Sequence, residues 1–140
     1  MPLSRRDPKV QGEQAECAFL LQATRRGLIV SKPWGDTARY DFVVDNGSRL
    51  LRVQIKSVSV TQDGSYHIST GSGHSSKTAY TLRDIDLLAA YVIPEDAWYL
   101  IPIHAFTPRK TIHLCPHRPE SRRNFEEYRE AWEVINSRQS

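Results

Sequence analysis

The chain has 140 residues, of which 39% are hydrophobic and 25% charged, and carries a net charge of +3. This composition suits one globular domain over residues 1–140 and excludes a disordered or fibrous chain. No apolar run approaches the roughly 18–20 residues that a membrane-crossing helix needs, so no membrane partner is expected. Glu13 and Glu16 fall where an export signal would be apolar. The two cysteines, Cys17 and Cys115, stand far apart, which predicts free thiols and a reducing, cytoplasmic setting.

In chain order, residues 8–26 read as a helix. Pro8 suits the first helical position, Phe19, Leu20 and Leu21 are expected to supply the buried stripe, and Gly27 follows the cationic pair Arg25–Arg26 as a C-terminal cap. "LIVSK" reads as a short strand and "PWGDTA" as a loop. "YDFVVD" and "SRLLRVQIKSVSV" are β-rich and flank Asn46-Gly47, the strongest short hairpin signal. "TQDGSYHIST" is expected to extend the sheet through a turn at Asp63-Gly64, and "GSGHSSKTAY" reads as a loop. "TLRDIDLLAA" opens with Thr81 as a helix N-cap and an acidic first turn. "DLLAAYVI" and "AWYLIPI" read as two buried strands, and "TIHLCP" as an edge strand. From about Arg123 to Ser137, Phe125, Tyr128, Trp132 and Ile135 recur at spacings of 3, 4 and 3, the signature of an amphipathic helix, with Asn124 and Glu127 as its capping box. The order predicts an α/β chain with a mixed central sheet flanked by helices.

The hairpin carries the chemistry. Side chains alternate along a strand, so Gln54 and Lys56 share one face with Arg52, while Leu51, Val53 and Ile55 share the other. A symmetric two-residue turn at Asn46-Gly47 would place Asp41 opposite Arg52, and so on the polar face. A carboxylate and an amide carbonyl are hard ligands for Mg²⁺, and the carbonyl of Ile55 adds a further oxygen. A lysine two residues away suits stabilisation of a phosphate under attack. The same residues equally describe a solvent-facing side of a sheet with an Asp41–Lys56 or Asp41–Arg52 pair.

Taken together, "GEQAE", "RYDFVVDNGSRLLRVQIKS" and "YTLRDIDLLAAYVI" with the later "WYLIPI" resemble the PD-(D/E)XK nuclease superfamily. The closer likeness is to its group I intron-associated homing endonuclease branch, from about Gly12 to Ile103. Archaeal Holliday-junction resolvases are more distant cousins. The resemblance implies a restriction-endonuclease-like core. It matches Asp41 to the family's metal-bridging aspartate and Lys56 to its motif lysine. Gln54 stands where most members have Asp or Glu, and the intron-associated branch itself looks to use glutamine at this position. Glu16 matches the helix acid, with Glu13 second. Tyr40 stands where proline is common.

The implied reaction is phosphodiester hydrolysis of double-stranded DNA with Mg²⁺ or Mn²⁺ held by Asp41, Gln54, Ile55 and Glu16, in a homo-oligomer that brings two sites to two strands. Arg5, Arg6, Arg39 and Lys77 are the candidate DNA contacts. Two alternatives stay open: a nuclease acting on branched DNA, and a nucleic-acid-binding module that does not cleave. His113, Cys115 and His117 alternate like zinc ligands, but no fourth ligand accompanies them, and an ordinary strand is expected there. Asp84 and Asp86 are read as helix N-terminal acids. Trp98 and Trp132 are expected in the core.

Overall fold

The computed structural model describes residues 7–73, 78–118 and 125–136. The first helix, α1, spans Pro8–Arg25. The Asp7 side chain caps it by accepting from the Lys9 N–H, and Pro8 occupies a position whose N–H would be unbonded anyway. Gly27, at φ 76°, takes the left-handed conformation that ends the helix. The buried stripe is Ala15, Phe19 and Ala23. The expected run of Phe19, Leu20 and Leu21 contributes only its first member fully, and Leu21 is half exposed. Consecutive residues are about 100° apart around a helix, so three in a row cannot share one face.

The main sheet contains β1 (Ile29–Ser31), β2 (Phe42–Asp45), β3 (Leu50–Val58), β7 (Leu87–Val92) and β8 (Ala97–Pro102), in the order β1-β2-β3-β7-β8. β3 pairs with β7 in parallel and every other pairing is antiparallel, so the sheet is mixed as expected. α1 lies on one face. There Phe19 stacks on Phe42 at 5.9 Å and meets Trp98 and Trp132 at 5.7 and 6.0 Å. Val44, Leu51, Val53, Ile55, Leu87 and Leu100 complete that cluster.

A second apolar cluster covers the other face of β7 and β8. It is built on an antiparallel ribbon of β4 (Tyr66–Ser69) and β9 (Thr111–Leu114), which buries Tyr66, Ile68, Ile112 and Leu114 against Leu88, Ala90, Tyr99 and Ile101. β4 therefore does not extend the main sheet, because β7 already occupies that edge of β3. The segment 71–80 carries a short pair, β5 (Gly71–Ser72) with β6 (Thr78–Ala79). Among the described residues no helix is long and apolar enough to cross a membrane.

Three local expectations are corrected. The hairpin loop has four residues, 46–49, rather than two. Asn46 Oδ1 accepts from the N–H groups of Ser48 and Arg49, and Asp45 Oδ1 from that of Gly47, so side chains build the turn. The register moves by two, and Arg52 faces Val43 instead of Asp41. An even shift preserves every facing.

Residues 81–86 form no helix. The Asp84 carboxylate accepts from the Thr81 N–H and hydroxyl and closes a single turn, and Asp86 then binds Arg52.

The C-terminal helix is also broken. A 3₁₀ turn at Glu126–Tyr128 is separated from a short α2 (Glu133–Asn136) by Arg129, which bridges to Tyr99, and by Glu130 at φ 51°. Phe125 and Tyr128 join the second cluster while Trp132 and Ile135 join the first, so the four apolar residues serve opposite faces of the sheet. Arg123, Asn124 and Ser137 lie outside the described residues, and the capping box with them.

Candidate active site

β2 and β3 pair only as far as Phe42–Val53, whereas β3 continues to Val58. Beyond that point the first strand of the hairpin peels away and leaves a notch along residues 54–58 of β3. Asp41 closes it. Its N–H donates to the Val53 carbonyl at 2.9 Å, and its carboxylate accepts the Ile55 N–H at 2.7 Å. A buried N–H that lost its strand partner thus finds a charged acceptor. N–H and C=O of one residue in an antiparallel strand point to the same edge, so the Ile55 carbonyl is directed at the notch as well.

A cleft of about 350 Å³ opens over this notch, lined by Pro8, Lys9, Gly12, Glu13 and Glu16 of α1 together with Asp41, Gln54 and Ile55. Both acids expected from the sequence therefore reach one space with Asp41 and Gln54. Burial is the main cause that pushes the Glu16 carboxyl above its ordinary range. The Asp41 charge adds to the rise, Glu13 contributes, and Lys32 opposes it. Asp41 is also raised, again chiefly by burial, against the lowering pull of the Ile55 N–H, Lys56 and Lys32. Lys56 itself is not among the cleft-lining residues. Its ammonium stands 5.8 Å from the ring centroid of the buried Tyr80, close enough to Asp41 to lower its pKa.

The donors at the cleft are carboxylates, an amide and a backbone carbonyl, all oxygen, which fits a hard divalent cation. Among the described residues no three His, Cys, Asp or Glu side chains converge on one point, so the neutral Gln54 amide would have to complete any such set. Two mutually repelling, partly buried carboxylates are the signature of a site that a cation relieves.

Other residues are engaged elsewhere. Arg52 shares the face of Gln54 but is held by the Asp86 carboxylate and by the carbonyls of Leu82 and Arg83. Arg39 pairs with Asp84 at 3.2 Å. Asp84 and Asp86 are thus ion-pair partners, a correction to their reading as helix-terminal acids. In both, burial raises the pKa but is outweighed: at Asp84 by the Thr81 N–H and the Arg39 charge, at Asp86 by Arg52. Arg5, Arg6 and Lys77 lie outside the described residues. His113 stacks face to face on His67 at 4.0 Å, His117 pairs with Glu95, and Cys115 donates to the Gly64 carbonyl, so the three alternating residues have separate partners. A second cleft of similar volume is lined, among the described residues, by Arg109, Thr111, Ile112, His113 and Phe125, with no carboxylate among them.

Sequence reasoning missed Lys32 and Tyr80. Lys32 follows the last residue of β1, which pairs with β2 and so brings the lysine beside the start of the acidic strand. That adjacency is visible only once β1 is known to join the hairpin. Tyr80 leaves no sequence signal. It is fixed by its N–H donating to Thr70 and by the Thr107 hydroxyl donating to its carbonyl.

A family model described as PD-(D/E)XK endonuclease matches residues 6–135. Among solved structures the chain resembles a bacterial homing endonuclease, I-Ssp6803I, at 30% identity, with a TM-score of 0.82 and 94% of each chain covered. It also resembles the Holliday junction resolvase Hjc of the archaeal hyperthermophile Archaeoglobus fulgidus at 14% identity and a TM-score of 0.55, covering 93% of this chain and 99% of the other. The second likeness concerns the fold alone. A search of the curated proteins finds no match. The α1 helix, the mixed sheet and its divergent hairpin are the restriction-endonuclease-like architecture that the sequence led us to expect. With nearly its whole length matched, the chain belongs to the PD-(D/E)XK endonuclease family.

Proposed function

We propose that this nuclease cuts double-stranded DNA with a divalent cation, Mg²⁺ or Mn²⁺, bound in the Asp41 cleft, in the manner of a homing endonuclease. The observation that supports this most directly is the Asp41 carboxylate closing the notch in β3 while facing Glu16 across the cleft. Asp41, the Gln54 amide oxygen and the Ile55 carbonyl would hold the cation, with Glu16 beside them. When bound, such an ion polarises a phosphoryl oxygen and lowers the pKa of water.

The chain's own groups do the rest. Asp41 spends one oxygen on the Ile55 N–H, which fixes the direction of the other. Glu16 accepts a hydrogen bond from the attacking water and sets its line of approach. Glu13, one turn earlier, is the reserve acid and adds to the negative field. Lys56 donates to a non-bridging phosphate oxygen and offsets the charge that grows as phosphorus takes on a fifth oxygen. Arg39, together with Arg5, Arg6 and Lys77, contacts flanking phosphates. One site per chain and two strands to cut make a homo-oligomer the working form.

Supercoiled plasmid incubated with Mg²⁺ or Mn²⁺ tests the reading. Wild type nicks or linearises it, Asp41→Ala abolishes cleavage, and Lys56→Ala slows it roughly 100-fold. Direct conversion to linear product marks a two-site oligomer, whereas a long-lived nicked species marks single sites. DNA binding with no cleavage under either metal would overturn the enzyme reading. Preference for a four-way junction over duplex would move the substrate to branched DNA.

A further inference from the structure

The loop between β1 and β2 carries a feature the catalytic set does not use. Trp34 is fully exposed, whereas the other exposed large apolar residues, Leu21, Ile29, Leu50, Val60 and Leu82, keep between a third and a half of their surface covered. The remaining tryptophans, Trp98 and Trp132, are buried in the α1 cluster. An indole held wholly in water forgoes the largest hydrophobic gain of any side chain. Its place is specific. The loop starts at Lys32, whose charge reaches both Glu16 and Asp41, and runs directly into Asp41. Its far end is tied down by the Arg39–Asp84 pair, and Gly35 at φ 83° turns the chain just after Trp34. An exposed flat aromatic ring two residues from Lys32, on a loop whose ends lie at the acidic site, matches what nucleobases require. Stacking satisfies the ring, and Lys32 meets a neighbouring phosphate.

We propose that Trp34 stacks on a DNA base next to the scissile phosphate and positions the strand for cleavage. This rests on the nuclease reading and adds to it a contact that deforms or unstacks the substrate at the cut. A second copy of the chain docking on Trp34 is the competing occupant.

Trp34 is exposed while Trp98 and Trp132 are buried, so the emission lost in Trp34→Phe isolates its contribution from theirs. The probe is a short mixed-sequence duplex added at low salt to the metal-free protein, with a fluorescent label on the DNA reporting binding independently. The expected result is quenching of tryptophan emission that follows the binding curve. Trp34→Phe, whose smaller ring still stacks, binds more weakly than wild type but more tightly than Trp34→Ala, and loses the quenching. Trp34→Ala binds roughly tenfold more weakly. Binding with unchanged emission, or Trp34→Ala binding like wild type, overturns the inference and leaves the nuclease reading intact. A blue shift on concentrating the protein without DNA assigns Trp34 to self-association and overturns it too. No binding of the labelled duplex at all counts against the DNA-endonuclease reading itself.

Discussion

Asp41 is asked to be charged in a place that resists charge. Burial raises its pKa and that of Glu16, and the unfolded chain has no such penalty. The native, metal-free protein therefore holds these two protons more tightly than the unfolded one. Their contribution favours folding below the ordinary carboxylate range and is lost as pH rises through their raised values. Asp84 and Asp86 run the other way: their ion pairs stabilise the fold above the ordinary range and are lost as pH falls through their depressed values. Asp41→Asn keeps an acceptor for the Ile55 N–H and removes the charge. It is expected to raise the melting temperature of the metal-free protein at neutral pH while abolishing cleavage. The gain shrinks towards acidic pH, where wild type is itself protonated; thermal melts at two pH values check it. Adding Mg²⁺ should stabilise wild type but not the variant. At this scale the sequence was informative. The pairing of the two hairpin strands put Asp41 on the side of Gln54, the Ile55 carbonyl was legible from its place between Gln54 and Lys56, and Glu16 came from the family likeness. Lys32 and Tyr80 were not legible, because each meets the site through a pairing or fold-back that no local pattern encodes.

Among the elements, the hairpin was read with the wrong loop and the right facing. Asn46-Gly47 marks a turn, but the Asn46 side chain stabilises a four-residue loop, and its amide also donates to the Ile135 carbonyl at 2.6 Å. Asn46→Ala removes all three contacts at once and is expected to cost about 1–2 kcal/mol, measured by urea unfolding. The loss falls on the hairpin and on the C-terminal segment together, since this one side chain ties them. The α1 helix, β1 and both buried strands β7 and β8 were legible because capping, β-branched runs and apolar content agree there. The C-terminal helix was not. Its 3-4-3 spacing is real, yet Phe125 and Tyr128 are drawn to one face of the sheet and Trp132 and Ile135 to the other. Tertiary packing divides what periodicity joins. Similarly, Thr81 and Asp84 form a genuine capping contact around a turn that Arg52 and Asp86 then stop from propagating.

Across the whole molecule, the two apolar clusters meet the sheet unequally. β7 and β8 are covered on both faces, with Leu88, Ala89, Ala90 and Tyr99 through Ile101 fully buried. β1 and β2 are short, and Ile29 at the sheet edge is largely exposed. The cleft sits where these two regimes join: Gln54 and Ile55 belong to a strand anchored on the buried side, while Asp41 and the Trp34 loop hang from the thin side. Local opening follows the less covered elements, so β1 and β2 separate from β3 at lower cost than the rest comes apart. In rising urea, plasmid cleavage should therefore disappear while far-ultraviolet circular dichroism still reports intact secondary structure. Coincident midpoints would mean the edge is welded to the whole. If cleavage is lost first, the molecule carries a built-in fuse: mild stress disarms the cutting centre and leaves an intact scaffold that rearms when the stress is withdrawn.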